Sequence, residues 1–198
     1  MKTISVIGSG RTEVGKRATN ELRKQGMVPC CLYGEKKDEN GNPVATAFGV
    51  TVEGLRKLIY SPDIFVVELT IDGVAHKAVM REIQFHPVKD NVLHVDFYEI
   101  TDEKPIVMAV PVKLEGLAAG VRAGGKLVQL QRRLKVKALY TNLPEKLVID
   151  VTSLELAKSI KCGELSFENL ELVTPKEALV CAVKATRASA AAAAAAKK

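Results

Sequence analysis

Alternating apolar and polar positions run through the first half of the chain and predict β-strands. The segments Ile64 to Ile71 and Val74 to Met80 alternate on either side of Asp72-Gly73, a dipeptide that favours a tight hairpin turn. Further strands are predicted at Thr3 to Ile7, Cys30 to Tyr33, Val44 to Val50, a stretch ending near His86-Pro87, and Val92 to Tyr98, with a polar hairpin loop from Lys36 to Pro43. This half is therefore expected to be mostly antiparallel β-structure, as in a small barrel.

Two short helices interrupt these strands. A loop with Gly8, Gly10 and Gly15 precedes a helix predicted from Lys16 to Gln25, which Gly26 and Pro29 end. Thr51 can cap a second helix, which Ser61-Pro62 ends. The apolar face of that second helix consists of Val52, Leu55, Leu58 and Ile59.

A polar, proline-bearing break from Thr101 to Pro105 predicts a domain boundary, with one domain at residues 1–100 and another at 101–187. The second domain is expected to be β-rich, with Gly116 to Gly125 as a solvent-exposed loop and Leu154 to Lys158 as one helical turn. Residues 188–198, an alanine run ending in two lysines, are expected to form a disordered tail. The predicted strands of the second domain are Ile106–Leu114, Leu127–Leu130, Leu134–Tyr140, Leu147–Val151 and Leu179–Val183. The predicted fold class is therefore mainly β with a few helices.

Composition excludes several classes of protein. With 198 residues and 47% apolar positions the chain can bury a core, yet no run approaches the length of a membrane-spanning helix. The start of the chain shows no export signal. Four cysteines without CxxC spacing disfavour a disulfide scaffold or zinc ribbon and are typical of reduced thiols in a cytoplasmic protein.

The net charge of +6 is unevenly distributed. Residues 1–37 carry a net +5 (eight basic, three acidic), whereas residues 38–100 carry −5 (five basic, ten acidic). The stretch from Arg122 to Lys137 has six basic side chains and no acid. Such segregation is typical of a protein with a polyanionic partner, nucleic acid or acidic lipid, and chance clustering in solvated loops is an equal alternative.

One motif suggests an enzyme. Gly10 to Lys16 follows a strand and opens a helix, the context of a phosphate-binding loop, and Val92 to Asp96 resembles a strand ending in a magnesium-holding aspartate. However, Arg17 occupies the position where such loops place a metal-binding hydroxyl, and the hairpins differ from a parallel βα sheet. An NTPase is therefore a remote alternative. His76, His86 and His94 are too scattered in sequence to predict a metal site, and no pairing of nucleophile and base predicts a catalytic residue.

The first helix carries a basic, polar stripe, for which a nucleic-acid contact and an ordinary solvated helix face are the two alternatives. At about 100° per residue, Lys16, Thr19, Asn20 and Arg23 share one face, while Ala18 and Leu22 lie opposite and can anchor the helix on the core. Donors at a helix N-terminus suit phosphates and base edges.

Three motifs then give a family resemblance. The pieces Gly15-Lys16, Ala18, Leu22-Arg23, Gly26, Val28-Pro29 and Tyr33-Gly34 resemble the opening of the bacterial large-subunit ribosomal protein family that binds 5S rRNA, also called the CTC or general-stress-protein family. His86-Pro87-Val88 and Leu93 to Phe97 resemble its second motif. Val121 to Gly125 resembles the glycine loop of the extra C-terminal domain in its longer members, so the resemblance covers residues 1 to about 185.

The resemblance implies a six-stranded barrel domain with helices, followed by a β-rich domain. It further implies that the barrel grips an internal-loop region of 5S rRNA in a widened minor groove, with Mg²⁺ held by the RNA and no cofactor or metal held by the protein. Matched position by position, the RNA-facing residues would be Arg11, Lys16, Thr19, Asn20, Arg23, Tyr33, Gln84, His94 and Asp96.

Each matched residue type has a chemical role on RNA. Arginine and lysine would contact phosphates, Thr19, Asn20 and Gln84 would read edges, and Tyr33 would stack or bond a sugar. Asp96 would accept from a base amino group or orient His94, and a purely structural pair at a strand end is the alternative for those two residues.

Two positions depart from the family pattern. Many relatives carry two arginines where this chain has Asn20-Glu21, and often an arginine where it has Phe85. The electrostatic grip on RNA is then weaker, or it is supplied by Arg17, Lys24 and Arg81.

The expected function is therefore that of a non-enzymatic, cytoplasmic component of the large ribosomal subunit that binds 5S rRNA through its first domain. The second domain would contact rRNA or neighbouring ribosomal proteins, and neither a membrane nor a small-molecule substrate is expected. The alternative within the same class is a general-stress RNA-binding protein that is not stoichiometric on ribosomes.

Overall fold

The computed structural model of the chain describes residues 1–34 and 44–186. The polar loop predicted at Lys36 to Pro43 and the tail predicted at 188–198 lie outside the described residues. The chain divides into two compact units, one from Met1 to Lys104 and the other beginning at Pro105. Neither contains a described helix long and apolar enough to cross a membrane.

Six strands of the first unit close into a barrel in the order β1-β3-β2-β6-β5-β4. The β1–β4 and β2–β6 pairs are parallel and the other four are antiparallel. In chain order the elements are β1 (Lys2–Gly10), α1 (Lys16–Lys24), β2 (Met27–Tyr33), β3 (Thr46–Thr51), α2 (Val52–Tyr60), β4 (Phe65–Ile71), β5 (Val74–Phe85) and β6 (Val92–Glu99).

Local sequence rules account for several of these boundaries. Asp72 and Gly73 both have positive φ, 49° and 86°, as a tight turn between twisted antiparallel strands requires, which confirms the predicted hairpin. The Thr51 hydroxyl accepts a hydrogen bond from the Gly54 amide at 3.3 Å, which confirms the predicted cap of α2. Helix α1 ends one residue before its predicted end.

The barrel interior is filled by apolar side chains from every strand. Phe48 and Phe97 lie with ring centroids 5.8 Å apart, and both are fully buried. Helix α2 adds Leu55 and Leu58 to this core. The closed hydrogen-bonded ring and this packed interior confirm the barrel implied by the resemblance.

Two predictions for the first unit are wrong in detail. Gly8 and Gly10 belong to β1, where they pair with β3, and not to the loop before α1. Gly8 lies so close to Phe48 that an added Cβ would stand 2.7 Å from its ring, so packing fixes a glycine that looked like a loop residue. Strand β5 also continues past Met80 to Phe85 as one strand, bent by irregular pairing between Met80 and Glu82.

The second unit is confirmed as β-rich. Its elements are β7 (Ile106–Glu115), α3 (Ala119–Arg122), β8 (Lys126–Gln129), β9 (Arg133–Ala138), β10 (Leu147–Asp150), β11 (Ser159–Lys161), β12 (Glu171–Leu172) and β13 (Leu179–Lys184), with 3₁₀ turns at Tyr140–Asn142 and Cys162–Glu164. These strands form a four-stranded sheet, β10-β7-β9-β12, and a three-stranded sheet, β11-β13-β8.

The glycine-rich segment of the second unit is not the exposed loop predicted from sequence. It contains α3, and Ala118 and Gly120 in it are buried. The Gly120 amide donates to the Leu154 carbonyl at 2.8 Å, and an added Cβ on Gly120 would stand 2.6 Å from the backbone of Glu155. The stretch from Leu154 to Lys158 that approaches it is a tight turn with Ala157 at φ 60°, not a helical turn.

The packing of α2 generates a stability prediction. Leu55→Ala should lower the free energy of unfolding by about 2–5 kcal/mol, because it empties a fully buried position of the barrel core. The matched control on the same helix is Val52→Ala, which changes a side chain that is 46% exposed and should alter stability by about 0.5 kcal/mol or less. Urea denaturation measures both, and equal losses would contradict the assigned core.

Candidate nucleic-acid interface

The outer face of β2, β5 and β6 gathers polar side chains from distant parts of the sequence. Because neighbouring residues on a strand point to opposite faces, Val95 and Phe97 fill the barrel, while His94 and Asp96 point outward. On the parallel neighbour β2, Cys31 pairs with Asp96. On the antiparallel neighbour β5, Gln84 pairs with His94.

His94 and Asp96 contact each other on this face. His94 Nδ1 lies 3.1 Å from Asp96 Oδ1, and the two side chains are 22% and 23% exposed. They are thus neither buried in the barrel nor free in solvent. The carboxylate fixes the orientation of the imidazole and leaves its other ring nitrogen available to a partner.

Arg11 reaches the same cluster from the end of β1. Its amide donates to the Ala47 carbonyl at 3.0 Å, and its side chain forms a hydrogen bond with Cys31. Desolvation and then the charge of Asp96 raise the pKa of the Cys31 thiol, whereas the charge and hydrogen bond of Arg11 lower it. Within the described part of the chain, Arg11 Nε is buried without a hydrogen-bond partner.

Arg23 joins α1 to the barrel. Its Nη2 and Nε donate to the Leu93 carbonyl at 2.8 and 3.2 Å, across 70 positions of sequence. Its Nη1 lies 3.5 Å from Asn20 Oδ1, a marginal hydrogen bond on the exposed side. Arg23 is therefore first a residue that sets the position of α1 beside β6, with Nη1 left for an external acceptor.

The other polar residues of α1 differ in how free they are. Lys16 begins the helix and is exposed, as is Asn20. The Thr19 hydroxyl donates its hydrogen bond to backbone carbonyls at the start of the helix, to that of Gly15 at 2.8 Å or that of Lys16 at 3.1 Å. Thr19 therefore offers RNA only acceptor lone pairs, which narrows the predicted role.

The underside of α1 is less deeply anchored than the sequence suggested. Ala18 and Leu22 are half-buried, and none of the helix residues is fully buried. Leu22 packs above Gly49, where an added Cβ would stand 3.2 Å from Leu22 Cδ2. The bidentate contact of Arg23 therefore carries much of the attachment between α1 and the barrel.

An aromatic patch extends the face along β2 and β6. Tyr33 and Tyr98 are register partners whose rings meet edge to face at 6.0 Å between centroids. The Arg81 guanidinium lies 5.9 Å from the Tyr98 centroid, a cation–π contact. Burial raises the pKa of the Tyr33 phenol, so its hydroxyl stays protonated and able to donate.

We name this face the α1–β6 surface. Five of the predicted residues lie around strands β2, β5 and β6: Arg11, Tyr33, Gln84, His94 and Asp96. The α1 residues lie at the border of this surface, where Arg23 attaches the helix: Lys16, Thr19 and Asn20. Sequence reasoning missed Cys31 as a member of the cluster. The alternation that points Tyr33 outward also points Cys31 outward, and that signal was available.

The second unit carries a basic ridge. On β9 the exposed residues Arg133, Lys135 and Lys137 alternate with the buried Leu134, Val136 and Ala138, so three cations share one face of the four-stranded sheet. Lys137 Nζ lies 3.3 Å from Glu171 Oε2 in an exposed ion pair. Part of the predicted basic block is therefore a regular array along one strand.

Comparison with known proteins agrees with this architecture. The model of the Ribosomal L25p family matches residues 8–97, and that of the C-terminal domain of ribosomal protein TL5 matches residues 105–187. The chain is 64% identical over 198 residues to the large ribosomal subunit protein bL25 of Phocaeicola vulgatus, covering 100% of both chains. It is 57% identical over 203 residues to bL25 of Bacteroides thetaiotaomicron (100% of both) and 53% identical over 190 residues to that of Porphyromonas gingivalis (96% of both). Similarity at this level over both units shows that the chain belongs to the family of the large ribosomal subunit protein bL25.

Proposed function

We propose that this protein is a structural component of the large ribosomal subunit and binds 5S rRNA through the α1–β6 surface. Members of its family are structural, non-enzymatic ribosomal proteins, and bacterial ribosomes work in the cytoplasm. The observation that carries the 5S rRNA proposal is the pair of hydrogen bonds from Arg23 to the Leu93 carbonyl. They hold the basic helix against the strand of His94 and Asp96, so residues far apart in sequence form one surface.

The chemistry of this surface suits an irregular RNA helix. Regular A-form RNA hides its base edges in a deep, narrow groove, so selective proteins seek widened grooves where edges and 2′-hydroxyls are reachable. Lys16 and the outward-facing Nη1 of Arg23 would bind phosphates, whereas Gln84 and Asp96 would bond base edges or riboses. His94, held by Asp96, would present its second nitrogen to the same groove.

A carboxylate on an RNA surface needs a specific reason, because it repels phosphate. For Asp96 the reason is that its two oxygens can serve different partners. One oxygen lies 3.1 Å from His94 Nδ1, and the other can accept a hydrogen bond from a base amino group. Any Mg²⁺ that widens the groove would belong to the RNA, because Mg²⁺ prefers oxygen ligands and usually keeps several waters.

For the second unit we propose contact with rRNA through the ridge of Arg133, Lys135 and Lys137. Residues two apart on a strand repeat every 6–7 Å or so, which lets three cations follow one phosphate backbone. A neighbouring ribosomal protein with an acidic face is the alternative partner.

The folded barrel disfavours the remote NTPase alternative, because the predicted phosphate loop leads into a closed barrel and not a parallel βα sheet. The remaining alternative is a stress RNA-binding protein that is not stoichiometric on ribosomes. It would have the same fold but fewer than one copy per large subunit. Quantifying the protein per large subunit in growing and stressed cells separates the two.

Two substitutions test the α1–β6 surface. Lys16→Ala removes an exposed phosphate contact and should weaken 5S rRNA binding by about 1–3 kcal/mol, and by a similar amount for any RNA. Asp96→Asn should weaken binding to 5S rRNA more than to an unrelated duplex, because it alters an edge contact and the orientation of His94. The control is Arg56→Ala, an equal loss of exposed charge on α2. Filter binding measures all three, and equal effects of Lys16→Ala and Arg56→Ala would contradict the surface.

Salt separates bare charge attraction from recognition. If about five basic residues contact phosphates, the logarithm of the affinity should fall against the logarithm of salt with a slope of roughly −3.5 to −4.5. The difference between 5S rRNA and an unrelated duplex should persist at high salt, since edge contacts release few counterions, and should shrink when Mg²⁺ is removed from the RNA. Equal affinities for both RNAs in Mg²⁺ would leave only a basic surface.

A shortened chain tests the division of labour. Residues 1–104 should fold alone and keep most of the affinity for isolated 5S rRNA, because the barrel core and the α1–β6 surface lie within them. The full chain should nevertheless occupy reconstituted large subunits more tightly than the shortened chain, by virtue of the second unit. Circular dichroism and gel-shift assays measure this, and a shortened chain that is unfolded or does not bind would contradict the proposal.

A further inference from the structure

Cys31, His94 and Asp96 form a cluster of three metal-ligating side chains on the outer wall of the barrel. One candidate ligand atom from each, a sulfur, an imidazole nitrogen and a carboxylate oxygen, lies within 4.8 Å of the other two. All three residues are half-buried. His94 and Asp96 lie 63 and 65 positions after Cys31 in the sequence, so the three side chains meet only because the barrel closes.

The backbone geometry makes this grouping rigid. His94 and Asp96 are two apart on β6 and therefore point the same way, and Cys31 is the register partner of Asp96 on β2. Three ligands from two hydrogen-bonded strands outline one triangular facet of a tetrahedron.

The geometry points to a binding site for Zn²⁺ or a similar borderline-soft divalent cation, held by Cys31, His94 and Asp96 with its fourth position open to solvent. Thiolate and imidazole select this class of ion over Mg²⁺, which prefers oxygen ligands. Binding releases the Cys31 thiol proton to solvent. The site belongs to the RNA-free protein, and it goes beyond the proposed function because two of its ligands are residues that RNA would otherwise contact.

Arg11 and Cys30 define how the site would operate. Arg11 lies beside Cys31, so its positive charge opposes the approach of a cation. Cys30 points into the barrel and is fully buried. Of the two adjacent thiols, only Cys31 can act as a ligand.

Cobalt titration of the full-length, reduced protein without RNA tests the site directly. Co²⁺ occupies zinc sites and shows a sulfur-to-cobalt charge-transfer band when a thiolate binds it. The wild type should take up one ion per chain with this band, and added Zn²⁺ should abolish it. Cys31→Ser should eliminate the band, and Asp96→Asn should weaken cobalt binding by at least about 10–100-fold, the range seen even for lost outer-shell support.

The matched control is Cys162→Ala, which removes one buried thiol from the second unit and leaves the thiol count equal to that of Cys31→Ser. It should keep the band, provided that circular dichroism shows both variants folded. A wild type without the band, a band that survives Cys31→Ser, or equal loss in both cysteine variants would overturn the site. Because no RNA is present, none of these outcomes bears on 5S rRNA binding, which the Lys16→Ala comparison decides separately.

Discussion

Closure of the six-stranded barrel is the constraint on which the rest of the first unit depends. A closed sheet has an interior of fixed volume, so at every strand one set of alternate side chains must be apolar and of the right size, and the other set must face outward. On β6 this rule gives Val95 and Phe97 to the core and His94 and Asp96 to the surface. Closure also brings β2 beside β6 in parallel register, which places Cys31 next to Asp96. The proposed RNA-binding face is thus the outward half of the same pattern that builds the core.

Attachment of α1 turns that face into a larger surface. The helix has no fully buried side chain, so hydrophobic contact alone holds it weakly, and the two hydrogen bonds from Arg23 to the Leu93 carbonyl supply direction as well as stability. A charged donor on a backbone acceptor exceeds a neutral hydrogen bond in strength. In the proposed binding Arg23 would act in two ways, by holding Lys16 and Asn20 beside β6 and by presenting its outward-facing Nη1. A substitution of Arg23 mixes these effects, which is why exposed Lys16 gives the clearer measurement.

The sequence predicts what local physics determines. The Asp72-Gly73 turn, the Thr51 cap and the span of α1 depend on residues within a few positions of one another, and all three are confirmed. Features that depend on distant contacts were missed: Gly8 is a strand residue because Phe48 packs over it, and Gly120 is buried because the turn before Ala157 approaches it. Strands β11 and β12 have three and two residues, too few for any alternation to show. At the candidate site, residue identities came from motifs, but the Arg23–Leu93 contact and the Cys31 cluster required barrel closure.

The same geometry that suits RNA also suits a metal ion, and the two uses exclude each other. An imidazole nitrogen has one lone pair, so His94 cannot ligate a cation and accept from an RNA hydroxyl through the same atom. Asp96 would give one carboxylate oxygen to the ion, which would leave fewer acceptors on this carboxylate for a base amino group. A bound divalent cation would also repel the guanidinium of Arg11, one of the residues matched to RNA contact. A bound metal ion would therefore occupy the acceptors of His94 and Asp96 and repel the Arg11 side chain at the centre of the α1–β6 surface. Lys16, at the border of the surface, would be unaffected. Metal would for that reason reduce selectivity for 5S rRNA more than it reduces general attraction to phosphate.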